Sequence, residues 1–356
     1  MKYLFVINTP AQYHFWKNIM LSLMKKNHQI NILARDYGST CQLLDNDNLK
    51  YNIYIKPDDL KLQRGFQLFP HVLNAYKLAR STNPDIIIGF GIVESIVSGF
   101  LRKPCIVFTD SEPVGVQNTL VKIFADAIIT PTCFKINLGK KQVRINSFKE
   151  LAYLHPSYFQ PDPSIYDELN IKREEKYVVL RFNVFDAVHD IGRHGFSRDE
   201  QYRLVNEISK YVRVFISPEA KLLDELEKYR LPIAYNRIHH ALYYANLLVT
   251  DTQTMTTEAA ILGTPVIRCN SFVGPNDMGN FIELERKYDL IYSFRNTEQA
   301  IQKAIELIQR TDLKEQWAKK REKLLADKID VTRFMVDFIE DYPASFQKYK
   351  VKSKQR

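Results

Sequence analysis

Residues Thr250 to Ile267, TDTQTMTTEAAILGTPVI, constrain the fold of this chain more than any other stretch. An apolar run, Ala245 and Leu247 to Val249, reads as a buried parallel strand and leads into a polar turn rich in hydroxyls. A helix carrying Glu258 follows, then a Gly263-Thr264-Pro265 stop and a new strand start at Val266-Ile267. A strand feeding a helix leaves the first backbone N–H groups of that helix unpaired, an arrangement that suits a phosphate. The N–H groups of Gln253, Thr254 and Met255 are expected to face one diphosphate, together with the hydroxyls of Thr252, Thr254 and Thr256. Glu258, on the first turns, is within reach of a ribose. The plainer alternative is an ordinary strand–turn–helix with a Thr-rich cap.

The same alternation runs along the whole chain. Strands are expected at 3–8, 28–34, 84–89, 104–108 and 127–130, with helices at 10–26, 66–82, 93–101 and 115–124 between them. A break at about 155–176 carries Pro156, Pro161 and Pro163 and the charged run Lys172 to Lys176. Strands then resume at 177–183, 212–216 and 246–250, with helices at 199–211, 219–228, 238–245, 280–288, 297–309, 312–326 and 330–341. Short apolar strands alternating with amphipathic helices indicate parallel sheets wound on both faces. The expected division is a first α/β domain at 1–155, a linker at 156–176, a second α/β domain at 177–328, a terminal helix at 329–345 and a basic tail at 346–356.

A chain of 356 residues with 45% hydrophobic residues is long enough for two such cores. Cys41, Cys105, Cys133 and Cys269 are scattered without metal spacing, and read as small buried hydrophobes in a reducing compartment. No apolar run reaches the roughly 18 residues that span a bilayer. MKYLFVINTP reads as a first strand and not as a signal peptide, so a cytoplasmic location is expected. The net charge of +9 includes Lys348, Lys350, Lys352, Lys354 and Arg356, read as a frayed tail. Such a surface suits an anionic membrane or a polyanionic glycan, and no nucleic-acid motif accompanies it. A solvated basic face is the plainer reading.

Candidate chemistry in the first half lies at strand ends. His14 follows the first strand, in Asn8-Thr9-Pro10-Ala11-Gln12-Tyr13-His14. Asp110 and Glu112 follow the strand Ile106 to Phe108 and form the best carboxylate pair, suited to taking a proton from an acceptor hydroxyl. The competing reading makes Asp110 or Ser111 a helix cap ahead of Pro113. Glu94 is a weaker third acid. In the second half Arg181 ends a strand and suits a diphosphate. Asp186, His189 and His194 follow it at poor spacing for a metal, and the pair His239-His240 reads as capping or base-packing. Asp45-Asn46-Asp47 reads as a turn. No metal site and no cofactor are expected.

The Thr250–Ile267 segment resembles the donor-nucleotide site of the GT-B glycosyltransferase superfamily, which includes the non-hydrolysing UDP-N-acetylglucosamine 2-epimerases. The resemblance sets Thr252-Gln253-Thr254 in the place of a Ser-Gly-Gly turn, Glu258 in that of a ribose-binding acid, and Gly263-Thr264-Pro265 in that of a Gly-x-Pro. The glycine pair is missing. Ile106 to Asn118 resembles the matching loop of lipid-II-forming N-acetylglucosaminyltransferases and the epimerase strand end that presents a catalytic carboxylate. At the first strand end the family's histidine falls nearest Gln12, and its base role would pass to His14. Over about 300 residues the chain is most similar to a bacterial and archaeal GT-B-like family of unknown function. The matching pieces include Lys149-Glu150-Leu151-Ala152-Tyr153-Leu154-His155-Pro156, Val178 to Phe182 and Ile238-His239-His240.

The resemblance implies a GT-B fold of two Rossmann-like, doubly wound parallel-sheet domains flanking a cleft, with a C-terminal helix returning to the first. It implies a metal-independent glycosyltransferase acting on a nucleotide-sugar donor and a glycan or lipid-linked acceptor, in surface polysaccharide or glycolipid synthesis. Arg181, Thr252, Gln253, Thr254, Met255 and Glu258 would bind the donor; Asp110, Glu112 and His14 would be catalytic. The rivals are a UDP-sugar 2-epimerase, against which the early Thr9-Pro10-Ala11 departs from an Arg-Pro-Glu, and a non-catalytic sugar-nucleotide or glycan-binding protein.

Overall fold

The computed structural model describes residues 1–56, 68–113, 115–183, 194–218 and 222–354, excluding the side chains of 68 and 351–354. The chain divides into two compact units, one of Met1–Tyr153 with Ile329–Arg356 and one of Leu154–Lys328.

The first unit begins β1 (Lys2–Ile7), α1 (Pro10–Lys25), β2 (Gln29–Arg35), α2 (Thr40–Asn46) and β3 (Asn52–Ile55). It continues α3 (Leu68–Thr82), β4 (Ile86–Gly89), α4 (Ile92–Leu101), β5 (Cys105–Phe108), α5 (Gly115–Phe124), β6 (Ala127–Pro131), β7 (Gln142–Ile145) and a short α6 (Leu151–Leu154). The strand order is β3-β2-β1-β4-β5-β6-β7, and every pairing is parallel. Tyr3 to Ile7 and Ile86 to Ile88 are almost completely buried, as expected of central strands with helices on both faces. The order reverses at β1 and β4, so the loops after those strands occupy the switch point where open α/β sheets bind ligands. Helix α1 starts cleanly because Thr9 Oγ1 accepts from Gln12 N and Pro10 sits in the first turn.

The second unit holds α7 (Ile165–Glu168), β8 (Tyr177–Phe182), α8 (Arg198–Ser209), β9 (Arg213–Pro218), α9 (Ile238–Tyr244) and β10 (Leu247–Thr250). It continues α10 (Thr254–Leu262), β11 (Val266–Cys269), α11 (Gly279–Arg286), β12 (Ile291–Phe294), α12 (Thr297–Ile308) and α13 (Leu313–Asp327). Its parallel sheet has the order β12-β11-β10-β8-β9. Helix α10 is buried on all sides from Met255 to Leu262, which accounts for its apolar run and lack of amphipathic period. Gly263 ends it at φ +80; a Cβ there would lie 2.8 Å from Arg321 Cδ, so glycine is required on two counts.

Helices α14 (Val331–Glu340) and α15 (Ala344–Lys354) belong to the first unit. Thr332 Oγ1 donates to Ala152 O, and Ile329 N to Asn146 O. The lysines expected in a frayed tail lie instead on α15. Tyr349 packs its ring 5.2 Å from Phe334, and Phe346 packs near Tyr342, so aromatic contacts fold this segment. The expected helix at 219–228 is a 3-10 turn at Asp224–Tyr229, and 219–221 lie outside the described residues. Strands β3, β7 and β12 were not anticipated; each is four residues long and interrupted by polar side chains.

Candidate functional site

In the second unit the expected donor residues gather at the carboxyl ends of β8 and β10, where Thr250 is registered with Arg181 on one side and Arg268 on the other. Gln253 stands at the N-cap of α10, and Thr254 and Met255 open the helix. The first amides of an α-helix have no partner within it, so this end presents N–H groups and the positive end of the helix dipole. Two hydroxyls depart from expectation. Thr252 Oγ1 lies 2.8 Å from Thr250 Oγ1, and Thr256 Oγ1 donates to Thr252 O at 2.7 Å. Both stabilise the turn itself, because a buried hydroxyl without a glycine-opened backbone beside it takes the nearest local partner.

Glu258 is buried on α10, its Oε1 3.0 Å from Nε2 of His239 on α9. His239, expected to cap or to pack on a base, holds the glutamate. His240 accepts from Asp162 N at 3.0 Å and packs against Phe159. Arg181 directs Nη1 to Ser217 O, Ser217 Oγ and Pro218 O, tying the ends of β8 and β9 together. Asp251 accepts from Asn183 N at 2.7 Å and Phe196 N at 3.1 Å. Gly195 is required there, since a Cβ would fall 2.0 Å from Asp251 Oδ2. His194 N donates to Ser271 Oγ at 2.9 Å, and Ser271 N donates to His194 O at 3.0 Å. Asp186 and His189 lie outside the described residues.

In the first unit Asp110 and Glu112 follow β5 but find different partners. Asp110 Oδ2 accepts from Lys149 Nζ at 2.5 Å, and the same ammonium lies 2.9 Å from Glu150 Oε1. Glu112 Oε1 accepts from Lys135 N at 3.2 Å. Within this group Glu150 is buried at 2% side-chain exposure, and Asp110 and Lys149 are partly buried at 13%. Burial pushes the Glu150 carboxyl up to about 7; Lys149 opposes that shift and Asp110 adds to it. Burial alone would lower the Lys149 ammonium, but Asp110 and Glu150 outweigh it and hold it above its ordinary value. His14 stacks on Tyr153 with ring centroids 5.2 Å apart. The turn 149–153 is thus the common neighbour of Asp110 and His14, and Asn18 Nδ2 anchors it by donating to Ala152 O.

Lys149 and Glu150 fall within the family resemblance, which gives them no role. Their signal was two adjacent charges inside an otherwise apolar run, Phe148 to Leu154, which is hard to bury unless the charges find partners. Glu94 is completely buried, its carboxylate turned back onto Gly91 N at the start of α4. That contact serves the helix. Asp45 and Asn46 end α2, and Asp47 caps it and pairs with Lys17. Among the described residues no group of three or more His, Cys, Asp or Glu side chains is placed to hold a metal ion.

Two parallel α/β sheets of seven and five strands, with a strand–turn–helix of this type in the second, give the chain the GT-B type of fold. The chain belongs to the DUF354 family, described as a protein family of unknown function, whose profile matches residues 3–343. No curated protein matches the sequence. Among solved structures it is similar to MnaA from S. aureus in a co-structure with UDP, with a TM-score of 0.69 at 13% identity over 96% of this chain and 97% of that one. It is similar to the UDP-GlcNAc 2-epimerase from Neisseria meningitidis bound to UDP-GlcNAc, with a TM-score of 0.63 at 12% identity over 95% and 99%. It is also similar to MurG from Acinetobacter baumannii, with a TM-score of 0.58 at 15% identity over 96% and 99%. At these identities the likeness establishes the fold.

Proposed function

We propose that the chain is a nucleotide-sugar enzyme that moves a sugar from a nucleoside-diphosphate donor to a glycan or lipid-linked acceptor in surface polysaccharide or glycolipid synthesis. The observation that carries this reading is the start of α10, with its amides at the carboxyl end of β10 and Glu258 fixed by His239. In the reaction the acceptor oxygen bonds to the anomeric carbon while the bond from that carbon to the diphosphate oxygen breaks. The leaving diphosphate takes the electron pair, and its growing charge is met by the amides of Gln253, Thr254 and Met255, with Thr252 shaping the turn and Arg181 supplying positive charge. Glu258 accepts from the ribose. A carboxylate of the first unit, Asp110 or Glu112, or else His14, removes the acceptor proton. The reading assigns no step to a metal.

A 2-epimerase acting on a UDP-sugar is the second reading, favoured by the likeness to the Neisseria meningitidis enzyme and by the acids at the end of β5. A non-catalytic binder is the third, favoured by the glycine-poor turn whose hydroxyls face local groups. Incubation with a panel of nucleotide sugars, followed by mass spectrometry, separates them. Acceptor-dependent release of nucleoside diphosphate supports transfer, an interconverted sugar nucleotide supports epimerisation, and saturable binding without turnover supports the third. No binding to any nucleotide sugar would overturn the first two and leave only a glycan binder of the third.

A further inference from the structure

Helices α3, α4 and α5 form one side-by-side layer in the first unit: Tyr76 of α3 packs on Phe100 of α4, and a Cβ on Gly99 would lie 3.5 Å from Phe124 of α5. This layer concentrates exposed large apolar side chains, with Phe69 74%, Leu73 43%, Phe100 67%, Val116 75%, Ile123 58% and Phe124 39% exposed. On α3, Phe69, Leu73 and Tyr76 recur at helical spacing with Lys77 and Arg80; on α5 Val116, Ile123 and Phe124 do so, and Lys122 is exposed to the side of that stripe. Such a collection exceeds the single scattered hydrophobics usual on a protein surface.

The charge on this layer has one sign. Lys77, Arg80 and Lys122 lie on the helices, with Arg102 and Lys103 directly after α4. Glu94 is the one acid on the three helices, and it is completely buried. A cavity of about 550 Å³ adjoins the layer, sharing Gly99, Arg102, Lys103 and Phe124 with it. Two carboxylates also line the cavity, Asp85 and Asp126, and they accept from the backbone N–H groups of Lys2 and Cys105. The charged side chains exposed on the three helices are all cations, and the exposed Asp85 and Asp126 are confined to the cavity edge; an apolar stripe so charged matches a bilayer interface bearing anionic headgroups. Self-association through the same face would set cation against cation. No helix among the described residues is long and apolar enough to cross a membrane, so the contact would be peripheral.

We propose that the α3–α4–α5 face of the first unit docks onto an anionic lipid bilayer. The apolar side chains enter the interface, and Lys77, Arg80, Arg102, Lys103 and Lys122 meet the phosphates. Membrane contact then lies on the α3–α4–α5 face and not on the lysines of α15, whatever sugar chemistry the chain performs.

The experiment is cosedimentation of the full chain with vesicles of phosphatidylcholine alone or mixed with phosphatidylglycerol. The expected result is binding to the mixed vesicles alone, weakened by salt, with at least a tenfold loss for Phe100→Ser/Ile123→Ser and for Arg102→Gln/Lys122→Gln. These residues are exposed, so the variants should keep the wild-type Tm, and circular dichroism checks that they fold. Lys348→Gln/Lys350→Gln should bind as wild type. No binding to the anionic vesicles at low salt would overturn the proposal and leave an acidic protein as the occupant. Loss of binding confined to the α15 variant would transfer the contact to that helix and overturn it equally. Concentration-dependent dimers in light scattering, abolished by Phe100→Ser, would show that a second copy covers the face.

Discussion

Glu258 Oε1 and His239 Nε2 lie 3.0 Å apart in the second unit, and both side chains are only 7% exposed. A carboxylate intended for a ribose must be held at one rotamer, and a buried imidazole beside it does that. The pair therefore makes separable predictions for binding and stability. Glu258→Gln keeps the shape and one hydrogen bond, so the fold should survive while UDP binding weakens by about 1–3 kcal/mol, the scale of a lost charge-assisted bond. His239→Ala should weaken UDP less and lower the Tm as well. Isothermal titration with UDP and thermal melts check both; unchanged UDP affinity in Glu258→Gln would remove the ribose assignment.

Lys149 carries two carboxylates in the first unit, so its removal should cost more than that of a surface lysine. Lys149→Met leaves the buried Glu150 and the partly buried Asp110 without their cation. A loss of about 3–5 kcal/mol is expected, the range for breaking a buried pair from one end. Urea denaturation measures it. A loss under 1 kcal/mol would mean that water reaches the group as it does a surface pair.

Glu150 gives a pH signature whose sign is fixed. Its carboxyl is raised from 4.5 to about 7, mainly by burial, so the folded chain holds that proton more tightly than the unfolded chain. The stabilisation is complete below about 4.5 and is lost as pH rises toward 7, at no more than about 1.4 kcal/mol per pH unit. Glu150→Gln cannot lose a proton, so its stability should decline less between pH 5 and pH 8. Parallel melts across that range decide it. Identical slopes for the two proteins would mean that Glu150 does not titrate there.

Much of this was legible in the sequence, for reasons that differ by residue. The central strands showed because runs such as Leu247 to Val249 are apolar throughout, and α10 showed because a Gly-Thr-Pro stop follows it. Strand β7 did not, since Gln142 and Arg144 interrupt it. The candidate donor turn was readable as a local segment, but the pairing of Glu258 with His239 spans 19 residues and depends on how α9 packs against α10. The Lys149 group was hidden for the same reason. Its partner Asp110 is 39 residues earlier, and parallel strand order, not proximity in the chain, brings them together.

Metal dependence is a further check. Neither the turn at Thr252–Glu258 nor the strand end at Asp110 carries a carboxylate or His/Cys cluster at ligand spacing, and the Asp45-Asn46-Asp47 turn ends in an ion pair with Lys17. Turnover on the active nucleotide sugar should therefore persist in EDTA. Complete loss, restored by Mg²⁺ or Mn²⁺, would assign metal ligands to side chains in the 186–194 segment or in that turn.

The proton acceptor is the most exposed part of the functional reading. Asp110, Glu112 and His14 all lie at the carboxyl edge of the first sheet, but Lys149 occupies one oxygen of Asp110 and Lys135 N one oxygen of Glu112. A group that already accepts a strong bond is a weaker base unless that bond moves during the reaction. Glu150, raised to about 7 and almost completely buried, shares the Lys149 ammonium with Asp110, so its ionisation alters the charge around Asp110 without its meeting the substrate itself. Asp110→Asn and Glu112→Gln retain shape while removing basicity, so at least one should lower kcat by about 10²–10⁴-fold. Affinity for the donor should barely change, because the donor residues belong to the second unit. If Asp110 is the base, Glu150→Gln should shift the pH–rate profile while leaving KM for the donor unaltered. Should both carboxylate variants keep near-normal kcat while His14→Ala abolishes it, the histidine stacked on Tyr153 is the base and the Asp110–Lys149–Glu150 group is structural. If all of them retain UDP binding and none affects any turnover, the chain binds sugar nucleotides without transforming them.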